Sequence, residues 1–276
     1  PDDEPISGIL ALMGAMEQLS GISPSIFLSI EISTRLFGRL ITLVPPTAEI
    51  TKQLDGLTKG TLIGAVALSE SSMNVENEPL ATTGTRNGNT VVVNGSKSYV
   101  INGPVADTIA VVGRLDEKTA IFVLDKDTPG LKKTERLATM GYNGLAICGI
   151  ELENCVVPDT RIIGPLDSGD AMGKIKLWEN QILIAAALGM MKNSFETSRD
   201  FAKSHKSGGK PVIAYQEVGF KLSEMLTLYQ TAQLFAYRIA WTADHAPKEA
   251  EVLTLCAKVF CTEAAEKVAG QALQIQ

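Results

Sequence analysis

TVVVNGSKSYVING, residues 90–103, decides the reading of this chain. Three valines run into Asn94-Gly95, and a second strand-like run ends at Asn102-Gly103. An Asn-Gly between two β-rich runs is a strong short-range hairpin signal, because a type I′ turn needs positive φ at both central residues. The spacing therefore predicts a hairpin that turns at Asn94-Gly95 and carries Tyr99 and Ile101 on its second strand.

The same signature extends outward on both sides. From about 61 to 165, short runs rich in Val and Ile alternate with turn clusters. These clusters are Arg86-Asn87-Gly88-Asn89, Asn102-Gly103-Pro104, Thr128-Pro129-Gly130 and Asn143-Gly144. Closely spaced strands with such punctuation predict an antiparallel barrel or sandwich. Upstream, residues 8–60 carry apolar side chains at helical spacing: Ile9, Leu12, Met13 and Met16, then a run over 26–43. Ser23-Pro24 reads as a cap followed by proline in the first turn, and Pro45-Pro46 as a break. After Gly173 the helical period returns, with helices expected at about 174–205, 212–244 and 247–276. Helices, strands, then helices make an α+β protein. Its expected parts are a helical domain over 1–60, a middle β-domain over 61–165 and a C-terminal helical domain over 166–276.

Composition excludes several function classes. The 276 residues are 45% hydrophobic and 20% charged, which suits a globular chain with a sizeable core. A net charge of −6 argues against a nucleic-acid protein, which would need a clustered basic face. The cysteines at 148, 155, 256 and 261 form no CxxC pair, so buried, reduced thiols in a cytoplasmic protein are expected. With only His205 and His245 besides, no metal site is expected. No apolar run reaches the length of a membrane span, and no signal-peptide pattern opens the chain. The sequence starts at Pro1 and stops inside a helical pattern at QALQIQ, so both ends are expected to be missing.

Several segments in order resemble the acyl-CoA dehydrogenase family. They are Lys59-Gly60 followed by TLIGAVALSE, the NGSKSYVING element, DTPGL at 127–131, and GYNGLAICGIELENCVVP at 141–158. Gly189, Tyr215-Gln216 and Gln274-Ile275 hold matching places in the last helices. The resemblance implies a helical domain, a middle β-barrel or sandwich and a C-terminal helical bundle, assembled as a homodimer or homotetramer. It also implies FAD as hydride acceptor in the α,β-desaturation of an acyl thioester presented by CoA or an acyl-carrier protein. Tyr99 and Ile101 match positions that pack on the flavin, and Ser69 matches a hydroxyl donor in the flavin loop. Tyr215, Gln216 and Gln274 are the matching positions that remain toward the adenine end. The α-proton base of isovaleryl- and long-chain-specific members matches Glu179, within KLWENQILIAAALG. Glu179 is the only charged residue between Lys176 and Lys192. Its alternative reading is a solvated glutamate that favours the helix dipole in a first turn.

This sequence also departs from the family pattern. Residues 69–76 read SESSMNVE where the family has Thr-Glu-Pro-Gly-x-Gly-Ser-Asp, so the glycines are gone and Val75 replaces a serine. Ile101 lacks the hydroxyl of the usual threonine, and Asn180 replaces the arginine after the base. His205-Lys206-Ser207-Gly208-Gly209 stands in place of Arg-x-x-Phe-Gly, removing a bidentate phosphate ligand and an aromatic ring. Losses at both ends of the cofactor leave two alternatives open. One is a flavin-independent enzyme that performs proton transfer, dehydration or cyclisation on a thioester. The other is a non-catalytic structural subunit.

Overall fold

Among the described residues, eight strands of one sheet are flanked in sequence by helices on both sides. The computed structural model describes residues 8–72 and 78–276. Met73, Asn74, Val75 and Glu76 of the flavin-loop comparison therefore lie outside the described residues.

The first helices are α1 (Gly8–Ile22), α2 (Pro24–Ile30), α3 (Phe37–Ile41) and α4 (Ala48–Thr58), with a π-helical segment, Glu31–Leu36, between α2 and α3. Ser23 and Pro24 start α2 as the sequence suggests: the Ile26 N–H donates to Ser23 Oγ at 3.3 Å. Thr47 caps α4 in the same way, accepting from the Ile50 N–H at 3.3 Å. The strands are β1 (Gly64–Ala67), β2 (Thr83–Asn87), β3 (Thr90–Ile101), β4 (Thr108–Leu115), β5 (Lys118–Asp125), β6 (Leu131–Lys133), β7 (Ile147–Pro158) and β8 (Ile162–Leu166). Three long helices follow: α5 (Ser168–Ser204), α6 (Gln216–His245) and α7 (Pro247–Ile275).

The chain divides into two compact units, one reaching up to Phe27 and resuming over Leu177–Gln276, the other Leu28–Lys176. In the second unit the strand order is β6-β7-β3-β2-β4-β5-β8, with β1 also on β4. The sheet is mixed rather than purely antiparallel, because β1 and β2 both run parallel to β4. Val91, Val93, Val100, Ile109, Val111, Phe122, Leu124, Ile150 and Val157 gather in its core. β4 and β5 are buried along almost their whole length, which their continuous apolar runs require.

One expectation is overturned here. Asn94-Gly95 is not a hairpin turn, because β3 runs through it from Thr90 to Ile101. The turn comes earlier, at Gly88-Asn89, where Asn87 pairs with Thr90 and β2 returns as β3. Gly95 instead sits at a break in register against β7, at φ +151°. A Cβ there would lie 2.7 Å from the Thr82 Cα, so the bulge needs glycine for close approach as well as for its backbone angle.

In the first unit, α1 packs on α6, and α6 on α7. Glu17 of α1 is fully buried and accepts hydrogen bonds from the Tyr229 hydroxyl, Gln233 Nε2 (2.8 Å) and the Tyr237 hydroxyl (2.7 Å). Its three donors recur every fourth residue along one face of α6. Cys148, Cys155 and Cys261 are buried thiols as expected, whereas Cys256 is exposed. Among the described residues no helix is long and apolar enough to cross a membrane, and no group of His, Cys, Asp and Glu could hold a metal ion.

Candidate active site

Tyr99 owes its position to a second irregularity in β3. Lys97 pairs with Ile150 and Val100 with Cys148, so Ser98 and Tyr99 together face only one residue of β7. Tyr99 adopts φ +55°, a left-handed conformation that costs about 1–2 kcal/mol for a side chain of this kind. The bulge shifts the alternation by one residue: Val100 turns into the core, and the Tyr99 ring is left 58% exposed. The displaced Ser98 N–H donates to the Ser69 carbonyl at 2.8 Å. Two of the residues expected at the flavin, Ser69 and Tyr99, are thus brought side by side.

The segment around Ser69 is held by a buried ion pair. Lys97 Nζ donates to Glu70 Oε1 at 2.7 Å and to the Leu68 carbonyl at 2.9 Å. Glu70 also accepts the Ala81 N–H at 2.6 Å and the Thr82 N–H at 3.0 Å. The Lys97 side chain is fully inaccessible. Burial pulls its ammonium down to about 8, against the opposing influence of Glu70. Burial works to raise the Glu70 carboxyl, but Lys97 and the two backbone N–H groups outweigh it and hold it below its ordinary value. Both residues belong to the motifs that carry the family resemblance, yet their pairing was not legible. A lysine among strand residues reads as solvated, and its partner lies 27 positions away.

Ile101 ends β3 half-buried, with an aliphatic side chain and no hydroxyl to offer. Its neighbour Asn102 is buried at φ +64° and anchors this strand end. The Asn102 amide donates to the Ser29 carbonyl at 2.8 Å and the Gly64 carbonyl at 3.3 Å, while its Oδ1 accepts from Ser29 Oγ at 2.7 Å. Ser33 Oγ accepts the Gly64 N–H at 2.9 Å, so two serines one helical turn apart join the helix over 28–36 to β1 and β3.

The remaining candidates belong to the helical unit. Glu179 is a half-buried member of α5, between the buried Ile175 and Ile182. Tyr215 precedes α6, and its hydroxyl donates to the Ser207 carbonyl at 2.9 Å. Lys210 Nζ lies 4.2 Å from the centre of the same ring. Gly208, which stands where the family carries phenylalanine, has φ +59°, and a Cβ there would come 2.7 Å from the Tyr215 hydroxyl. The tyrosine therefore occupies space that a larger residue at 208 would need. His205 stacks on Phe201 with ring centres 4.8 Å apart.

Gln216 is exposed at the first residue of α6, and Gln274 is exposed near the end of α7. Glu224 contacts both Lys267 and Gln271, so the start of α6 and the end of α7 lie at the same end of the helix pair. Gln274 lines a groove there with Glu263, Glu266, Lys267, Gly270 and Gln271. Toward a flavin, an exposed aromatic wall beside a fixed main chain fits at Tyr99 and Ser69. Of the residues that the resemblance assigns to the adenine end, Gln216 and Gln274 are exposed, while the Tyr215 hydroxyl is already engaged.

Comparison with known proteins gives the family of the chain. The profile of the acyl-CoA dehydrogenase middle domain matches residues 65–155, and that of the acyl-CoA dehydrogenase C-terminal domain matches residues 174–276. Benzylmalonyl-CoA dehydrogenase of Aromatoleum aromaticum is 31% identical over 223 residues, which cover 79% of this chain and 58% of that protein. Mitochondrial isovaleryl-CoA dehydrogenase of Oryza sativa is 28% identical over 269 residues, covering 94% and 65% respectively. The chain thus spans less than two thirds of the length of either relative. The solved butyryl-CoA dehydrogenase of Megasphaera elsdenii superposes with a TM-score of 0.90 at 24% identity, covering 97% of this chain and 71% of that one. On its middle and C-terminal profiles together with its fold, the chain belongs to the acyl-CoA dehydrogenase family.

Proposed function

We propose that this chain is part of an FAD-dependent oxidoreductase that desaturates an acyl thioester, carried by CoA or an acyl-carrier protein, between its α- and β-carbons. The observation that carries the reading is Tyr99, an exposed aromatic ring on a bulged strand, set against the Ser69 main chain. Bound FAD would supply a two-electron acceptor for the β-hydride. The protein's share of the chemistry falls to Glu179, whose carboxylate takes the α-proton. Its half-buried position on α5 limits the water that would otherwise solvate the charge and weaken the base. Tyr99 provides an apolar wall, Ser69 and Ile101 border it, and Tyr215, Gln216 and Gln274 are assigned to the adenine end. The assembly is proposed as a cytoplasmic homodimer or homotetramer.

The test is a visible absorption spectrum of the purified protein after incubation with FAD, followed by titration with branched and straight-chain acyl-CoA. The expected result is a yellow protein that substrate bleaches. Glu179→Gln should keep the colour and slow bleaching by about 10²–10⁴-fold. A protein that stays colourless with excess FAD sinks this reading.

One observation favours a second reading. The Tyr215 hydroxyl is committed to the Ser207 carbonyl, and Gly208 beneath it supplies no ring. A chain that had given up the flavin while keeping its thioester site would instead catalyse proton transfer, dehydration or cyclisation. Turnover without any electron acceptor, abolished by Glu179→Gln, distinguishes it. A protein inert in both assays and recovered only with an active paralogue would be a structural subunit.

A further inference from the structure

We propose that Glu70 and Lys97 are a positioning pair, whose task is to hold the Ser69 main chain and the Tyr99 bulge in one fixed geometry. The proposal rests on the flavin reading above for its purpose, but its geometry stands apart from any cofactor. At the bulge, β3 gives the Ser98 N–H to the Ser69 carbonyl instead of to β7. A single main-chain bond of this kind would leave the approaching segment free to pivot. Lys97 prevents that by gripping the residue on either side of Ser69: the Leu68 carbonyl before it and the Glu70 carboxylate after it.

Glu70 extends the grip to the returning chain. Its two oxygens take the Ala81 and Thr82 N–H groups, so residues 81 and 82 are both tied to the Glu70 carboxylate. Arg114 adds a brace from β4, donating through Nε to the Leu80 carbonyl at 2.7 Å. The chain that leaves β1 and the chain that enters β2 are therefore both fastened to β3 at Lys97.

Stability alone is a poor reason for this arrangement. A buried ion pair often does no more for folding than apolar residues of similar volume, because desolvation offsets most of the attraction. Apolar residues could fill the space, but they could not accept the Ala81 and Thr82 N–H groups or hold the Leu68 carbonyl. What the pair adds is direction. It sets where the Ser69 backbone and the Tyr99 ring stand, to a tolerance that packing does not provide.

The experiment uses the full chain and the double variant Lys97→Met/Glu70→Met, with three readouts: thermal melting, residue-resolved amide hydrogen exchange without cofactor, and FAD affinity with the shape of the bound flavin's visible band. The expected outcome is a folded variant with a lower melting point, because the Ala81 and Thr82 N–H groups and the Leu68 carbonyl lose their partners, and with exchange at Ser98, Ala81 and Thr82 faster by tenfold or more. FAD affinity should fall by at least about tenfold, the equivalent of one hydrogen bond, with an altered visible band. Glu70→Gln is the second variant, kept for the case in which the double variant does not fold. It retains size and one acceptor oxygen, and should accelerate exchange at Ala81 or Thr82 while the protein stays folded. Unchanged exchange at all three amides in a folded variant overturns the proposal. If the parent protein binds no FAD, the flavin reading fails, and the exchange measurement still decides whether the pair positions these segments.

Discussion

Gly189→Ala should destabilise the helical unit by about 2–4 kcal/mol, although alanine is the better helix former by about 1 kcal/mol. Gly189 lies inside α5 where α1 crosses it. A Cβ at this position would come 2.0 Å from Ser20 Oγ, 2.3 Å from the Gly21 nitrogen and 2.6 Å from the Glu17 carbonyl oxygen. Ser20 could rotate away only by giving up its hydrogen bonds to the Ala185 carbonyl (2.8 Å) and the Glu17 carbonyl (3.1 Å). The other two atoms are backbone and cannot move without shifting a helix. Overpacking costs about 1–3 kcal/mol, and stranding the buried Ser20 hydroxyl about 1–3 more; the gain in propensity offsets part of this. Gly219, within α6, has no atom within 4 Å of its ideal Cβ and is the matched control. Gly219→Ala should stabilise by about 0.5–1 kcal/mol through propensity alone. Urea midpoints from far-ultraviolet circular dichroism measure both, at unchanged slope. If Gly189→Ala unfolds at or above the midpoint of Gly219→Ala, the two helices do not meet at backbone distance and the reasoning fails.

Two further predictions concern buried ionisable groups. Glu17→Ala removes the fully buried acceptor of three donors, the buried Tyr229 and the part-buried Gln233 and Tyr237, and should cost about 3–5 kcal/mol, against about 1.5–3 for Tyr237→Phe; a loss below 1 kcal/mol for the alanine variant contradicts the network around Glu17. The second prediction is a pair of opposed slopes in stability against pH. Burial pulls Lys97 down to about 8 from a lysine's usual 10.5, so between those values the native chain holds fewer protons than the unfolded one, and this residue makes stability rise with pH. Burial and the Glu17 carboxylate push Tyr237 up to about 12 and raise Tyr229 as well, so above a tyrosine's usual 10 the unfolded chain releases protons first and stability falls. Denaturant midpoints for the parent, Lys97→Met and Tyr237→Phe across this range separate the two. The rising slope should vanish in the first variant and the falling slope should weaken in the second; a Lys97→Met protein that keeps the rise would show that Lys97 is not its source.

The extent to which the site could be read in advance depended on whether its cause was local. Ser23-Pro24, the helical periods of α5 to α7 and the turn at Asn102-Gly103 are set by residues within a few positions, and they stand where the sequence places them. Asn94-Gly95 does not, and the reason is instructive. A hairpin turn and a β-bulge ask the same thing of a residue, a backbone angle that glycine adopts at little cost. Residues 92–97 cannot say which of the two they form, because the choice is made by Thr82 and β7, which close on Gly95 from distant parts of the chain. The same limit applies at Tyr99. Strict alternation from Val91 and Val93 would place 97, 99 and 101 together on the inner face. Lys97 does turn inward, where Glu70 receives it, but the bulge then sends Tyr99 out and Val100 in. An aromatic residue at 99 was therefore legible as a candidate wall, whereas its exposure was not. That exposure requires a strained backbone, and the strain is tolerated because Ser69 takes the Ser98 N–H that the bulge displaces. The exposed tyrosine is the consequence of that irregularity in β3, whereas the buried lysine follows from the alternation before it, and a substitution that straightened the strand would turn residue 99 to the same inner face as Lys97.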